Sequence, residues 1–307
     1  MQTLKEFVEA NPRLVTRKES KNYPGLFVLK YAKKVFYDAL WNTSPHLLEC
    51  RGQVIDEDYN TVIRPFTKIF NYGENGAGSK WKDTDYVLVT KKVNGFMAAV
   101  TKHNGKIIIS TTGSLDSDFV GYARDYLGAI EPSMCNEGVT YLFEICHTID
   151  PHIIQEKFGA HFLAIVEHST GIHHYKFDDT GLMFHAIENF APLGIHVEDE
   201  EAVWSFGKLK EHLKTVNHEG YVIVHFETNE TLKIKSQYYL FQKFLARVGT
   251  KKLIDGIRTG TIKQRIDEEY YDILQKVVDY GVDDFSELEE QNRLDVLRIW
   301  IGEQYAN

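Results

Sequence analysis

Apolar residues alternate with polar ones at period two through most of this chain and shift to helical spacing near its end. Residues 26–37 mix apolar positions with lysines in rough alternation, which predicts a half-buried strand. Residues 86–89 are aromatic and aliphatic and predict a strand ending at Thr90. The runs 96–102 and 106–110 flank Asn104-Gly105, the residue pair that best fits a two-residue hairpin turn. Strands are also expected over 141–145, over 161–166 and 172–177 with a turn at Ser169-Thr170-Gly171, and over 221–224. In the last strand, 231–236, period two places Lys233 and Lys235 on one face and Leu232 and Ile234 on the other. Helices are expected over 4–10, stopped near Asn11-Pro12, and over 117–127. From Gln237 onward the period is helical. Tyr270, Leu274 and Val277 share one face, Gly281 suits a stop, and Ser286 with Glu289 reads as a capping box ahead of Leu294, Leu297 and Ile301. The pattern predicts an α+β protein with a boundary near Leu240, sheets in 1–240 and a small helical domain in 241–307.

Charge adds an asymmetry to this picture. A formal net charge of -9 argues against a protein that coats nucleic acid nonspecifically. Locally, Lys243, Arg247, Lys251, Lys252, Arg258, Lys263 and Arg265 are opposed within their span only by Asp255, whereas from Asp267, Glu268 and Glu269 onward acidic residues dominate among the charged ones. That contrast reads as a binding strip with a solvated back, or as two ordinary helix faces. The three cysteines, Cys50, Cys135 and Cys146, lack a zinc-type spacing and are expected to be free thiols. No apolar run approaches membrane-spanning length and residues 1–11 lack a signal peptide's apolar core, so a cytoplasmic protein without a membrane partner is expected.

The chemistry centres on Lys92. It follows a buried run and precedes Asn94-Gly95, two residues that tolerate positive φ and so permit a sharp turn and close backbone approach to a ligand. An amine at a sheet mouth can be partly desolvated, which frees a lone pair for attack. Between 63 and 71, extended geometry would put Phe66, Lys68 and Phe70 on one face, where a base could stack and a phosphate be held; core packing with a snorkelling lysine fits too. Glycine-rich 72–80 reads as a flexible hinge or surface loop. Glu144 interrupts an apolar strand and needs a hydrogen-bonding reason, either a ribose or a structural partner. Glu219-Gly220 precedes a buried strand. Lys233 and Lys235 would repel unless an anion lies between them, although an edge strand guarded by lysines has the same pattern. The spacing of His147, His152, His173 and His174 matches no metal motif.

In order, Glu49-Cys50-Arg51-Gly52, the run from Arg64 through Lys68 to Asn71, Lys92-Val93-Asn94-Gly95, Leu142-Phe143-Glu144, Glu219-Gly220-Tyr221-Val222 and Leu232-Lys233-Ile234-Lys235 resemble the motifs of the covalent nucleotidyltransferase superfamily. Within it they look most like the RNA ligase 1 family of T-even-type bacteriophages. The resemblance implies a ligase-type nucleotidyltransferase domain of antiparallel sheets with flanking helices, its ligase-1-like portion in 1–80, followed by a small helical domain. It implies an ATP-dependent RNA ligase that joins 5′-phosphate and 3′-hydroxyl RNA ends through lysyl-AMP and adenylated RNA, in RNA repair after a polynucleotide kinase/phosphatase. Lys92 is then the nucleophile, Lys233 and Lys235 hold the α-phosphate, Arg51 and Lys68 the outgoing phosphates, and Phe70 stacks on adenine. Glu144 holds the ribose, Asn94 and Gly95 shape the nucleotide turn, and Glu219 orients a hydrated Mg²⁺, for which Mn²⁺ is the alternative. A phage origin would place the protein in the host cytoplasm.

Two positions depart from the family's pattern: Asn94 stands where aspartate is usual, and Thr112, ahead of Gly113-Ser114, where the phage family usually has a lysine. Rival readings are a DNA ligase or capping-type enzyme, which would be expected to continue into a β-rich barrel, and an inactive RNA-binding descendant, against which the joint presence of Lys92, Glu144, Glu219, Lys233 and Lys235 argues. A chain cut shortly after Leu240, if it folds, should keep lysyl-AMP formation and lose much of its RNA sealing.

Overall fold

The computed structural model describes residues 2–150, 152–175, 181–197, 201–264, 266–267 and 270–303. Expectations for Phe177, Arg265, Glu268 and Glu269 lie outside the described residues. The chain forms two compact units, Met1–Lys68 with Val93–Glu198 and Ile69–Lys92 with Asp199–Asn307.

The first unit opens with the helix Leu4–Ala10, capped reciprocally by Thr3 and Glu6. Strands β1 (Val15–Glu19), β2 (Phe27–Tyr31), β3 (Arg51–Ile55) and β4 (Thr61–Ile63) then pair in chain order as a four-stranded sheet. The expected strand over 26–37 stops at Tyr31; Lys33–Tyr37 is instead a short helix that buries Val35, because so short an alternating run fits either period. Residues 63–71 do not form one strand either. Pro65, with no N–H to donate, follows β4, and Phe66 turns into the core against the rings of His173 and Tyr175. The chain passes through β5 (Phe70–Asn71) and β6 (Tyr86–Lys91), which belong to the second unit. It returns as β7 (Phe96–His103) and β8 (Lys106–Thr111), joined by the expected hairpin with Asn104 at φ 52° and Gly105 at φ 72°.

With β9 (Val139–Cys146), β10 (Gly159–Glu167) and β11 (His173–Tyr175) these make an antiparallel sheet in the order β11-β10-β9-β7-β8. The helices Asp118–Leu127 and Gly181–Phe190 close its core, setting Val120, Leu127, Met183 and Phe190 among Val100, Tyr141, Phe143 and Phe162. Because Tyr141, Phe143 and Ile145 face this core, Glu144 belongs to the opposite face. The cysteines are free and buried, and burial pushes the Cys50 and Cys135 thiols up to about 12, so both are inert at neutral pH.

Burial, with the Arg64 guanidinium as second cause, holds His168 and His173 down at about 4. Both are therefore neutral in the folded state at a pH where the unfolded chain would protonate them. Their stabilisation is complete above the ordinary histidine value of about 6.5 and is lost as pH falls through about 4. Urea midpoints should thus begin to fall below about pH 6.5, where carboxylates are still ionised, and the decline should be shallower in His168→Gln/His173→Gln. A wild-type midpoint flat between pH 6.5 and 5 would contradict this assignment.

The second unit is built on a five-stranded sheet in the order β12-β6-β13-β14-β5, where β12 is Glu201–Ser205, β13 Gly220–His225 and β14 Thr231–Lys235. The two lysines of β14 therefore lie on an interior strand, antiparallel to β13 and parallel to β5, and the guarded-edge explanation does not apply. Residues 72–80 are tied down rather than hinge-like: Trp81 Nε1 donates to Glu230 Oε2 at 2.7 Å, Gly78 N–H donates to the same carboxylate, and Asn71 bonds Glu74 through its backbone and side chain.

The tail is helical over Gln237–Arg247, Gly249–Arg258, Tyr271–Tyr280, Val282–Glu287 and Glu290–Glu303. Ser286 lies inside one of these helices and bonds the Asp283 carbonyl, so it is no cap for the last helix. The basic strip is also broken up. Lys243 is buried and paired with Asp267 at 2.6 Å, and Arg258 reaches Asp283 at 2.7 Å, carboxylates that a linear count of charges places elsewhere. Lys251 and Lys252 stay exposed. Among the described residues no helix is long and apolar enough to cross a membrane.

Candidate active site

In the second unit, strand register gathers the candidate residues at one end of the sheet. Lys92 directly follows β6 and its N–H donates to the Gly220 carbonyl at 2.9 Å. Gly220 is the cross-strand partner of Lys235, and the Ser236 N–H donates to the Glu219 carbonyl. Three chain segments thus bring Lys92, Glu219 and Lys235 together. Gly220 makes this possible: at φ 133° a Cβ would strike the Ile234 carbonyl oxygen and the Lys235 backbone.

The Lys92 amine lies 2.9 Å from Glu219 Oε2, the lysine side chain 20% exposed and the carboxylate 4%. A buried carboxylate needs a cation, and the lysine that satisfies it still reaches solvent. Lys233 is half-buried and pairs with Val222 on one side and Asn71 on the other. Lys235 is buried, its amine 5.6 Å from the centroid of the Tyr239 ring. Phe70 is half-buried on β5, in register with Leu232.

Tyr239 was not legible as a site neighbour in the sequence. It sits where it does because Ser236 caps the helix Gln237–Arg247, accepting from the Tyr239 N–H and turning that ring toward the end of β14. A capping serine directly after a lysine strand was the available signal.

In the first unit, Asn94 is buried and its Oδ1 accepts the Ile154 N–H at 3.2 Å. An aspartate would accept the same bond, so the departure at this position leaves its contact intact. Neither Asn94 nor Gly95 adopts the positive φ that the sequence leads one to expect. Gly95 is required for a different reason: a Cβ there would collide with the Ile145 carbonyl oxygen on β9. The Gly95 N–H donates to Glu144 Oε1 at 3.1 Å, a structural partner supplied by the backbone. That bond ties the residues following Lys92 to the glutamate strand.

Arg51 is half-buried on β3 and, among the described residues, makes no ion pair or side-chain hydrogen bond. The Lys68 amine lies 5.2 Å from the Trp41 ring centroid. Among the described residues no three His, Cys, Asp or Glu side chains converge as a metal cage. A single carboxylate, Glu219, suits an ion such as Mg²⁺ that keeps most of its water and binds through substrate phosphates.

The family model for RNA ligase, of the T4 RNA ligase 1 type, matches residues 49–244, well over half of the chain. The chain belongs to this RNA ligase family. The match takes in every motif from Arg51 to Lys235 and reaches into the first tail helix. Among solved structures, two forms of an archaeal ATP-dependent RNA ligase share its fold, at 15% and 16% identity and TM-scores of 0.54 and 0.53; each alignment covers 97% of this chain and 75% of the other. A protein described as an ATP-dependent DNA ligase from Aquifex aeolicus is as similar, at 17% identity and a TM-score of 0.56 over 98% and 77% of the two chains. Such low identities speak to fold alone, and they bear out an α+β ligase-type nucleotidyltransferase architecture with helices at the C-terminal end. No curated protein matches the chain. In this RNA ligase Lys92 pairs with Glu219, and Lys233 and Lys235 lie on an interior strand.

Proposed function

We propose that the protein is an ATP-dependent RNA ligase that seals 5′-phosphate and 3′-hydroxyl RNA ends through a lysyl-AMP on Lys92. The observation that carries this reading is the Lys92–Glu219 ion pair beside an interior strand bearing two lysines. As an ammonium bonded to Glu219 the lysine has no lone pair to offer, so transfer requires that carboxylate to turn to another cation. A divalent ion at Glu219, Mg²⁺ or Mn²⁺, would supply that charge and neutralise phosphate oxygens.

Once deprotonated, the Lys92 amine forms an N–P bond to the α-phosphorus of ATP; the α,β-bridging P–O bond breaks and pyrophosphate leaves with the electron pair. An oxygen of the RNA 5′-phosphate then takes the AMP and regenerates Lys92. Finally the RNA 3′-hydroxyl attacks the activated 5′-phosphorus and AMP departs. In this reading Lys233 and Lys235 neutralise the α-phosphate, and Arg51 and Lys68 guide the outgoing phosphates. Phe70 meets adenine, and Glu144 receives the ribose while holding Gly95. Ends of this polarity are what a polynucleotide kinase/phosphatase leaves, which suits a cytoplasmic RNA repair role downstream of one. Residues 1–240 would supply the side chains of nucleotide transfer, and the helices of 241–307 the packing that holds them in place.

Mass spectrometry of the protein after ATP and Mg²⁺, followed by addition of 5′-phosphorylated single-stranded RNA, tests the proposal. One adenylate on Lys92 that disappears as joined RNA accumulates is the expected result; a protein that never acquires it sinks the reading.

Lys233→Ala and Lys235→Ala should each lose a charge-assisted contact of about 1.5–3 kcal/mol, slowing lysyl-AMP formation on the order of ten- to a hundredfold. Stopped reactions with labelled ATP would measure this, and wild-type rates in both variants would remove these lysines from the α-phosphate.

A further inference from the structure

On the four-stranded sheet, two cationic residues stand opposite each other. Lys30 on β2 is the cross-strand partner of Arg51 on β3. Among the described residues neither makes an ion pair. Like charges directly opposite destabilise a strand pair, so this arrangement is costly unless an anion offsets it.

The pairing is not accidental to the backbone. The register slips between Leu29 and Lys30, leaving Gly52 as an extra residue at φ 93°. Such a bulge re-aims the neighbouring side chains. Gly52 is also pressed against the turn after β8: a Cβ on it would overlap the backbone of Thr112. Only glycine allows β3 to pack on that turn. Lys30 reaches the same turn, its amine 3.5 Å from where a Cβ on Gly113 would lie. Arg51, Lys30 and the Thr112-Gly113 turn therefore form one cluster in which the turn itself carries no charge.

We propose that Lys30 completes, with Arg51, a two-cation subsite for the triphosphate of ATP, supplying from β2 the positive charge that Thr112 does not. The proposal rests on the reading of Arg51 as a phosphate ligand. Two adjacent cations suit the concentrated charge of a triphosphate or pyrophosphate better than a single phosphodiester of RNA, which one of them would satisfy.

The test uses the full chain as wild type, Lys30→Ala, Lys30→Arg and Lys30→Ala/Thr112→Lys. ATP titration of lysyl-AMP formation is compared with pyrophosphate titration of its reversal, and with joining of pre-adenylated RNA, which uses no triphosphate. Lys30→Ala should raise half-saturating ATP and pyrophosphate about tenfold, an effect that salt diminishes. Lys30→Arg should stay near wild type, and the added lysine at 112 should restore much of the loss. The same comparison by protection against thermal unfolding with inorganic tripolyphosphate gives a readout independent of turnover.

Unchanged ATP and pyrophosphate dependence in Lys30→Ala would overturn the proposal. So would an equal loss in the pre-adenylated reaction, which would make Lys30 an RNA contact or a fold determinant. A wild-type protein that forms no lysyl-AMP would instead refute the underlying function, an outcome visible before any variant is made.

Discussion

Lys92→Arg should fold as the wild type does and form no lysyl-AMP, a loss limited only by the detection of labelled adduct. Glu219 is buried and its carboxylate is 2.9 Å from the Lys92 amine, so a substitution must keep a cation there if the fold is to be judged separately from the chemistry. Arginine keeps the charge and offers no amine that deprotonates in a protein.

Lys92→Ala should lose the adduct too, but with a stability cost of about 1–3 kcal/mol, because it leaves the Glu219 carboxylate without this partner. Intact-mass spectrometry after ATP and Mg²⁺, alongside urea unfolding, reads both effects. Wild-type labelling of Lys92→Arg would move the nucleophile elsewhere, Lys91 being the first alternative. Lys91 is the last residue of β6, in register with Tyr221, so it lies one residue short of the Glu219 carboxylate that Lys92 meets.

The second large effect runs against what the linear charge pattern implies. A chain cut shortly after Leu240 should lose lysyl-AMP formation together with RNA sealing, because the first tail helix is built into the second unit. Leu240 and Phe244 are fully buried, the Tyr270 hydroxyl donates to the Leu240 carbonyl at 2.8 Å, and Gln237 donates to the Gly302 carbonyl. The Lys243 amine, paired with Asp267, lies 5.9 Å from the centroid of the same Tyr239 ring that the Lys235 amine approaches at 5.6 Å. Losing the Phe244 side chain alone should cost about 3–5 kcal/mol, a large part of the stability of an ordinary domain.

Phe244→Ala in the full chain should therefore melt earlier yet still form the adduct at low temperature, whereas the truncated chain should lose the unfolding transition of the second unit. A truncated chain with wild-type adduct yield would show that the helices are dispensable to the site. Any RNA role of the tail is better sought in Lys251→Ala/Lys252→Ala, where both side chains are exposed and the core is untouched.

Much of the local structure was decided by the sequence itself. The Asn104-Gly105 hairpin follows from two residues that accept a left-handed backbone, and the helix Leu4–Ala10 follows from its reciprocal cap, because both depend on neighbours along the chain. The ordered motifs from Arg51 to Lys235 likewise named the family that matches over residues 49–244.

Tertiary structure decided everything that depends on which strand lies beside which. Whether Lys233 and Lys235 guard an edge or line an interior strand is settled only by β5 pairing in parallel with β14, a contact between residues far apart in sequence. Lys243 and Arg258 looked like part of a binding strip until Asp267 and Asp283 were brought against them. Gly95 and Gly220 illustrate the same limit. Their presence was legible, but their reason, close packing against the Ile145 and Ile234 carbonyls, is a property of neighbouring strands that no local pattern encodes.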